Sequence, residues 1–506
     1  MTTVINPSPE TVTGGATEEV EIVVIGAGFA GLAMASRLLT EGFSDLVVLE
    51  RADDVGGTWR DNTYPGAGCD IPSHLYSLSF NPNPGWSRDY SRQPEILDYL
   101  RDSADRFGVT PHVRFGHDVT GAAWEDRASR WTVTTNQGRF SARFLLAAAG
   151  PLAEPVLPDI CGLSEFTGRV WHSARWDHEA DLRGSRVAVI GTGASAVQFV
   201  PEIQADVEHL TLFQRAPPWI LPRRDKPIGP RRQRLYRLFP PAQKLSRALL
   251  FWRQEALFIA FKGAGRRFRL AEKLARAYLA KQIKDPALVA KVTPTYAMGC
   301  KRILMSDDYY PALTKANIEV VIDRITEVTA SGVRIADGTD HPVDTIIFGT
   351  GFHAVDPPMA EFTTGRDGIV MAEVWKDGME AYKGTAVAGF PNLFFIIGPN
   401  TGLGHNSMVY IIESQVADIM DCLRKTRDQA IGVVEVRKDA QDRWNEQIQK
   451  EMAETVWIQG GCTSWYLDRG RNTTLWPGYA SQFRKVTRHF DAAAYDLRRS
   501  KVTATG

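Results

Sequence analysis

The sequence predicts an α/β protein with two Rossmann-like dinucleotide-binding domains, the second nested in the first, and a basic helical insertion. Two observations carry this. The glycine fingerprint that turns a strand into a helix occurs twice, and strand-like runs ending in glycine turns recur late in the chain. Gly26-Ala27-Gly28-Phe29-Ala30-Gly31 follows the apolar run at 21–25, and Gly191-Thr192-Gly193-Ala194-Ser195-Ala196 follows the run at 186–190. In such a unit the first glycine makes a tight turn and the second lets backbone approach a pyrophosphate. The third small residue lets helix and strand pack closely. The helix N-terminus then faces the phosphates.

The two copies differ in charge at matching positions. Counting 22 residues on from the second glycine gives Glu50 in the first copy and Arg215 in the second. A carboxylate there accepts hydrogen bonds from ribose hydroxyls and repels a 2′-phosphate, whereas an arginine pairs with that phosphate. The first copy therefore suits FAD or NAD through Gly26, Gly28, Gly31 and Glu50. The second suits NADPH through Gly191, Gly193, Ser195 and Arg215. Two nucleotides, one flavin and one NADPH, imply redox chemistry.

In chain order, residues 1–19 are polar and acidic and read as a disordered leader. Residues 20–50 read strand, helix, strand; 95–107 read as a helix; 129–150 read as a meander ending in a buried strand. Residues 186–215 repeat the strand, helix, strand pattern. Prolines at 217, 218, 222, 227 and 230 mark entry to a helical insertion spanning 223–290. Strand character returns at 318–322, at 344–348 before Gly349-Thr350-Gly351-Phe352, and at 393–397 before Gly398-Pro399-Asn400-Thr401-Gly402. The simplest arrangement is a discontinuous FAD domain, 20–150 and 335–506, with the NADPH domain at 151–334 between its halves.

Composition excludes several classes. The net charge of zero over 506 residues gives no overall commitment to nucleic acid. No run of 18 apolar residues is present, so no membrane-spanning helix is expected. Cys69, Cys161, Cys300, Cys422 and Cys462 form no CxxC or zinc pattern, and no metal site is expected. Their odd number argues against a disulfide framework, and a reducing cytoplasm fits best. One region departs from neutrality: residues 223–284 hold 18 Lys or Arg against Asp225, Glu255 and Glu272, a local charge of +15. Within it Leu245, Leu249, Trp252, Ala256 and Ile259 recur at helical spacing. The segment reads as a helical insertion with a solvated basic face, and the same pattern suits peripheral contact with a membrane surface or an acidic partner.

Two further segments are more specific. Gly56-Gly57-Thr58-Trp59-Arg60-Asp61-Asn62-Thr63-Tyr64-Pro65-Gly66-Ala67-Gly68-Cys69-Asp70 fits [AG]GxWxxxx[FY]P[GM]xxxD at every defined position. The stretch from Phe166 through Gly168 and His172 to Trp176-Asp177 fits FxGxxxHxxxW followed by Asp. Both resemble the fingerprints of the type I Baeyer–Villiger monooxygenases, class B flavoenzymes that turn ketones into esters or lactones. The resemblance covers most of the chain from about residue 20. It implies FAD, NADPH, O2 and a ketone as partners, and a C4a-peroxyflavin whose adduct with the ketone rearranges. It also implies an active-site arginine, here Arg302, paired with Asp70. Gly57, Thr58, Trp59 and Asp70 join the cofactor site. Lys301 joins Arg215 at the NADPH 2′-phosphate. Trp465 resembles a tryptophan that closes over the nicotinamide cofactor. His172 and Trp176 are implied in coupling cofactor movement to oxygenation rather than in bond making. His405 and Asn406 are expected near the flavin, with no chemical step assigned.

Three alternatives use the same plan. A flavin-containing monooxygenase attacking sulfur or nitrogen usually carries a different aromatic at the Trp176 position. A pyridine nucleotide-disulfide reductase needs a dithiol soon after the first fingerprint, but Trp59 stands where a cysteine is needed and Cys69 has no near partner. A non-catalytic flavoprotein needs no residue such as Arg302.

Overall fold

A computed structural model describes residues 16–263 and 266–499. Most of the expected leader, 1–15, lies outside the described residues. Its last residues do not behave as leader, because the first strand, Glu18–Ile25, already begins at Glu18. This strand lies at the centre of an eight-stranded sheet. It pairs in parallel with Leu46–Leu49 on one side and with Arg139–Ala147 on the other. Leu46–Leu49 is buried at all four positions, which accounts for its unbroken apolar run. The helix Phe29–Thr40 crosses over between these two strands and buries Leu32, Ala33, Met34 and Leu38 against them.

The nesting is visible in the strand Arg139–Ala147. Its first half pairs antiparallel with Arg130–Thr135, and its last three residues pair in parallel with Leu393–Phe395. The chain leaves this sheet after Ala147, builds a second sheet, and returns. The second sheet has five parallel strands in the order Ile318–Val321, His209–Phe213, Arg186–Ile190, Thr345–Phe348, Arg169–His172. Thr345–Phe348 therefore belongs to the second domain, where the 335 boundary would have put it in the first. The error arises because the antiparallel meander Ile325–Thr329, Gly332–Ile335, Asp340–Pro342 interrupts the domain before its last strand.

The basic segment is helical: Pro230–Leu238, Pro240–Phe261, Arg269–Gln282 and Pro286–Val292. No helix among the described residues is long and apolar enough to cross a membrane, and no cluster of metal-ligating residues is present among them. The expectation about cysteines needs correction. Cys300 and Cys462 are disulfide-bonded, whereas Cys69, Cys161 and Cys422 are free. The pair is 162 residues apart in sequence, and only the fold brings the two thiols together. The argument for a reducing cytoplasm loses that support.

Candidate active site

Both fingerprint helices begin without a side-chain cap. Phe29–Thr40 starts at Gly28 and Ala194–Ile203 starts at Gly193. Their first-turn N–H groups are thus left for a ligand, and both face one continuous cleft of about 2690 Å³. Single small-ligand pockets usually span ~300–1,000 Å³, so this cleft has room for two dinucleotides. A side chain at Gly31 would overlap the Gly26 carbonyl oxygen, which is the close helix–strand packing the fingerprint requires. Gly191 sits at φ +109°, where its turn passes under the Gly349 carbonyl.

Glu50 follows directly on Leu46–Leu49 and lines the cleft. Its buried carboxylate accepts the Ala27 N–H at 2.9 Å and the Ala52 N–H at 3.1 Å, and pairs with Arg60 at 2.8 Å. The glycine turn itself therefore orients this acid. The short helix Thr58–Asp61 starts at Gly57, whose backbone crosses closely over Gly28. Thr58 and Trp59 line the same end of the cleft, and the Trp59 indole N–H donates to the Tyr76 hydroxyl at 3.1 Å. These features fit a flavin nucleotide: uncapped N–H groups, a cradle that a Cβ would fill, and an acid held at the strand end.

Across the cleft, Arg215 follows the strand His209–Phe213, and Lys301 comes from a loop 86 residues further on. Burial, and then the nearby Arg215 guanidinium, push the Lys301 ammonium below its usual pKa. Its Nζ also lies 5.0 Å from the centre of the Tyr296 ring. Neither cation has a carboxylate partner among the described residues. Two adjacent, uncompensated positive charges at the edge of a nucleotide cradle form an anion site, which fits a 2′-phosphate.

Between the cradles lies Arg302. Its guanidinium grips Asp70 in a bidentate pair, Nε to Oδ2 at 3.0 Å and Nη2 to Oδ1 at 2.8 Å. The Asp70 charge holds the arginine above its ordinary pKa. The pair is partly open to the cleft, with about a third of the Arg302 side chain accessible. Asp70 ends a segment that crosses from one domain to the other. The Tyr64 hydroxyl donates to Gln198 at 3.0 Å, and Gln198 donates back to the Gly68 carbonyl at 3.0 Å, joining the segment to the helix Ala194–Ile203. Sequence reasoning missed two neighbours. Tyr466 is buried beside Arg302, and Arg223 donates to the Cys69 carbonyl at 2.8 Å. Tyr466 follows Trp465, so the loop signal was present. Arg223 was hidden among the basic residues. Trp465 itself lines the cleft and is half-exposed. The Cys300–Cys462 bond ties the Arg302 segment to this loop.

His172 and Trp176 do not line the cleft. Trp176 packs on Phe199 and Trp171 behind the second fingerprint helix. His172 ends the strand Arg169–His172, packs edge-on against Phe352, and accepts the Ala174 N–H through Nδ1 at 3.1 Å. Both residues thus abut elements that carry the second nucleotide cradle. Burial, and secondarily Arg175, push the His172 pKa down to about 4. A base with a depressed folded pKa adds stability that is full above its unfolded value of ~6.5 and is lost as pH falls towards the folded value. His172→Gln should therefore flatten the loss of stability between about pH 6.5 and 4, read as the midpoint of urea unfolding against pH. An unchanged profile would mean that His172 is not held neutral by the fold.

Asn406 lines the cleft, while His405 is buried one layer behind it. Both donate to Glu255, His405 at 3.1 Å and Asn406 at 2.9 Å. Burial alone would raise the Glu255 pKa, but hydrogen bonds from His405, Ser481 and Asn406 outweigh it and hold the carboxyl at about 2. Glu255 lies on the helix Pro240–Phe261, so this cluster fastens the basic segment to the flavin-side turn.

Residues 23–230 match the family model described as pyridine nucleotide-disulphide oxidoreductase. The match spans both fingerprints, but no dithiol accompanies the first, and Cys69 is a buried free thiol. The chain is 50% identical over 493 residues to a Baeyer-Villiger monooxygenase of Streptomyces coelicolor, covering 97% of this chain and 95% of the relative. It is 48% identical to a Baeyer-Villiger monooxygenase of Pseudomonas aeruginosa, covering 97% and 94%. Among solved structures, the closed form of cyclohexanone monooxygenase matches with a TM-score of 0.87 at 30% identity, covering 96% of this chain and 100% of that one. An OTEMO complex with FAD and NADP matches with a TM-score of 0.85 at 27% identity, covering 94% and 99%.

Proposed function

The chain belongs to the Baeyer–Villiger monooxygenase family, and from that premise we propose how its own residues serve the reaction. The protein is an FAD- and NADPH-dependent monooxygenase that inserts one atom of O2 next to a ketone carbonyl, giving an ester or lactone. Bound FAD supplies the redox chemistry, taking reducing equivalents from NADPH and activating O2. Gly26, Gly28, Gly31 and Gly57 leave room for the flavin nucleotide, and Thr58 and Trp59 line its side of the cleft. Glu50, already oriented by two backbone N–H groups, accepts from the ribose hydroxyls. Gly191, Gly193 and Ser195 receive the NADPH pyrophosphate, and Arg215 with Lys301 binds its 2′-phosphate. Trp465 covers the nicotinamide end.

The observation that carries the reading is the Arg302–Asp70 pair, held between two nucleotide cradles in one cleft. Negative charge develops on the ketone oxygen as its carbonyl is attacked. A guanidinium fixed in advance stabilises that charge without reorganising. Asp70 holds the guanidinium plane and compensates its burial. His172 and Trp176 act as positioning residues, transmitting movement of the NADPH domain to the cleft.

Two results are expected. The purified protein should be yellow and release FAD, not FMN, on denaturation, and Glu50→Ala should retain less of it. A wild-type protein that never takes up FAD on reconstitution would refute the flavin assignment. Substituting His172 or Trp176 by alanine should lower turnover, or raise hydrogen peroxide per NADPH consumed, with FAD still bound. Unchanged rate and unchanged coupling in both variants would remove their role. Function itself is tested by screening ketones of increasing bulk for stimulated NADPH oxidation, with identification of the ester formed.

A further inference from the structure

The helices of the basic segment bury one side and leave the other bare. On Pro240–Phe261, Phe251, Glu255, Phe258 and Phe261 face inward. The stripe Leu245, Leu249, Trp252 and Ile259 points outward, each side chain about half exposed or more. Leu270 and Leu274 do the same one turn apart on Arg269–Gln282. Ten of the seventeen large exposed apolar residues of the described chain fall between Leu235 and Leu274. On Pro240–Phe261 the run Leu245, Leu249 and Trp252 lies on one helical face, and an exposed apolar face of this kind marks a contact surface.

Within residues 223–284 the exposed charges are of one sign. All three acids of residues 223–284 are engaged inward. Asp225 pairs with Arg88 at 2.7 Å, Glu255 is buried under His405 and Asn406, and Glu272 accepts the Met298 N–H at 3.0 Å. The next exposed carboxylate is Asp285, which caps the following helix through the Ala287 N–H. Arg234, Lys244, Arg269 and Lys273 are exposed alongside the leucines, with no carboxylate partner among the described residues.

We propose that this face docks on an anionic phospholipid surface, with Leu245, Leu249, Trp252, Leu270 and Leu274 entering the headgroup–acyl boundary and the flanking Lys and Arg meeting phosphates. Charge complementarity selects this occupant. A second copy of the chain would oppose the exposed Arg234, Lys244, Arg269 and Lys273 with the same four cations. Protein–protein interfaces gather apolar groups in a core depleted of lysine. Here cations and leucines alternate along each helix, as in helices that lie in the membrane interface, where long basic side chains reach up to the headgroups. Such a surface holds the enzyme beside a reservoir of apolar ketones, with the docking helix fastened at Glu255 to the flavin-side turn.

The test uses the FAD-loaded full-length protein and sedimentation with vesicles. Wild type should pellet with phosphatidylcholine vesicles containing phosphatidylserine and stay in solution with pure phosphatidylcholine. Each Lys or Arg near such a surface contributes about fivefold in binding, so Lys244→Glu with Lys273→Glu should lower it by more than tenfold. Leu249→Gln with Trp252→Gln should lower it as strongly with the net charge unchanged. FAD content and NADPH turnover with soluble ketone should stay at wild-type level in both, showing that the variants fold. No sedimentation of wild type, or equal sedimentation with both vesicle types, would overturn the proposal. So would binding that salt abolishes but the Leu249 and Trp252 substitutions do not affect, which would assign the face to polyanions in general. A dimer in light scattering that Leu249→Gln dissociates would assign it to a second copy.

Discussion

Arg302→Ala is expected to lower ester formation by about 10²–10³-fold, the usual cost of removing one preorganised donor at a developing anion. The variant should still bind FAD, because the Arg302 side chain hydrogen-bonds to Asp70 and not to the Gly26–Gly57 cradle. It should still be reduced by NADPH, because reduction does not develop charge on the ketone oxygen. The loss has to be separated from a folding defect, since Asp70 would be left without its partner. Arg302→Lys does this. It keeps a positive charge but cannot make the two-pronged contact seen at 2.7–3.0 Å, so its rate should fall between those of wild type and Arg302→Ala. Stopped-flow reduction and product quantification in the same preparations separate the steps. If Arg302→Ala forms ester at the wild-type rate with FAD bound, the role assigned to the guanidinium is wrong.

The second large effect concerns cofactor choice. Losing a charge-assisted contact to phosphate costs ~1.5–3 kcal/mol, or about 10- to 150-fold in affinity. Arg215→Ala should weaken NADPH binding by that factor and leave NADH binding nearly unchanged. Lys301→Ala should act in the same direction. Because the two cations lie close enough for Arg215 to depress the Lys301 pKa, the double variant should lose less than the product of the single losses. Titration of both cofactors against each variant checks this. Equal losses for NADPH and NADH would show that Arg215 does not read the phosphate.

Much of this was legible because the chemistry imposes local spacing. A fingerprint glycine, its helix start and the charged residue 22 positions on are all set within one βαβ unit, so Gly28 with Glu50 and Gly193 with Arg215 could be read directly. The contents of the cleft between the units were less legible. Arg302 and Asp70 are 232 residues apart, and only the resemblance to relatives paired them. Tyr466 and Arg223 reach the same place from two further segments, with no spacing rule to announce them. The boundary at 335 failed for a related reason: parallel strands are adjacent in space without being adjacent in sequence, so Thr345–Phe348 could be counted with either sheet. The Cys300–Cys462 bond was invisible because an odd cysteine count says nothing about which thiols the fold brings together. The outward stripe from Leu245 to Ile259 shows the limit of periodicity itself. Helical spacing identifies an apolar face, but not whether the rest of the chain covers it.

Oxygen insertion beside a ketone carbonyl is followed with isotopic oxygen. FAD-loaded protein, NADPH and a series of simple and bulky ketones are incubated under ¹⁸O₂, and the products are weighed by mass spectrometry. An ester or lactone carrying a single ¹⁸O atom is expected, at a ratio of one NADPH consumed per ester formed, with no label when the heavy isotope is supplied as water. Ketones returned unchanged across the series, with label found only in sulfoxides or N-oxides of added sulfides and amines, would contradict this expectation.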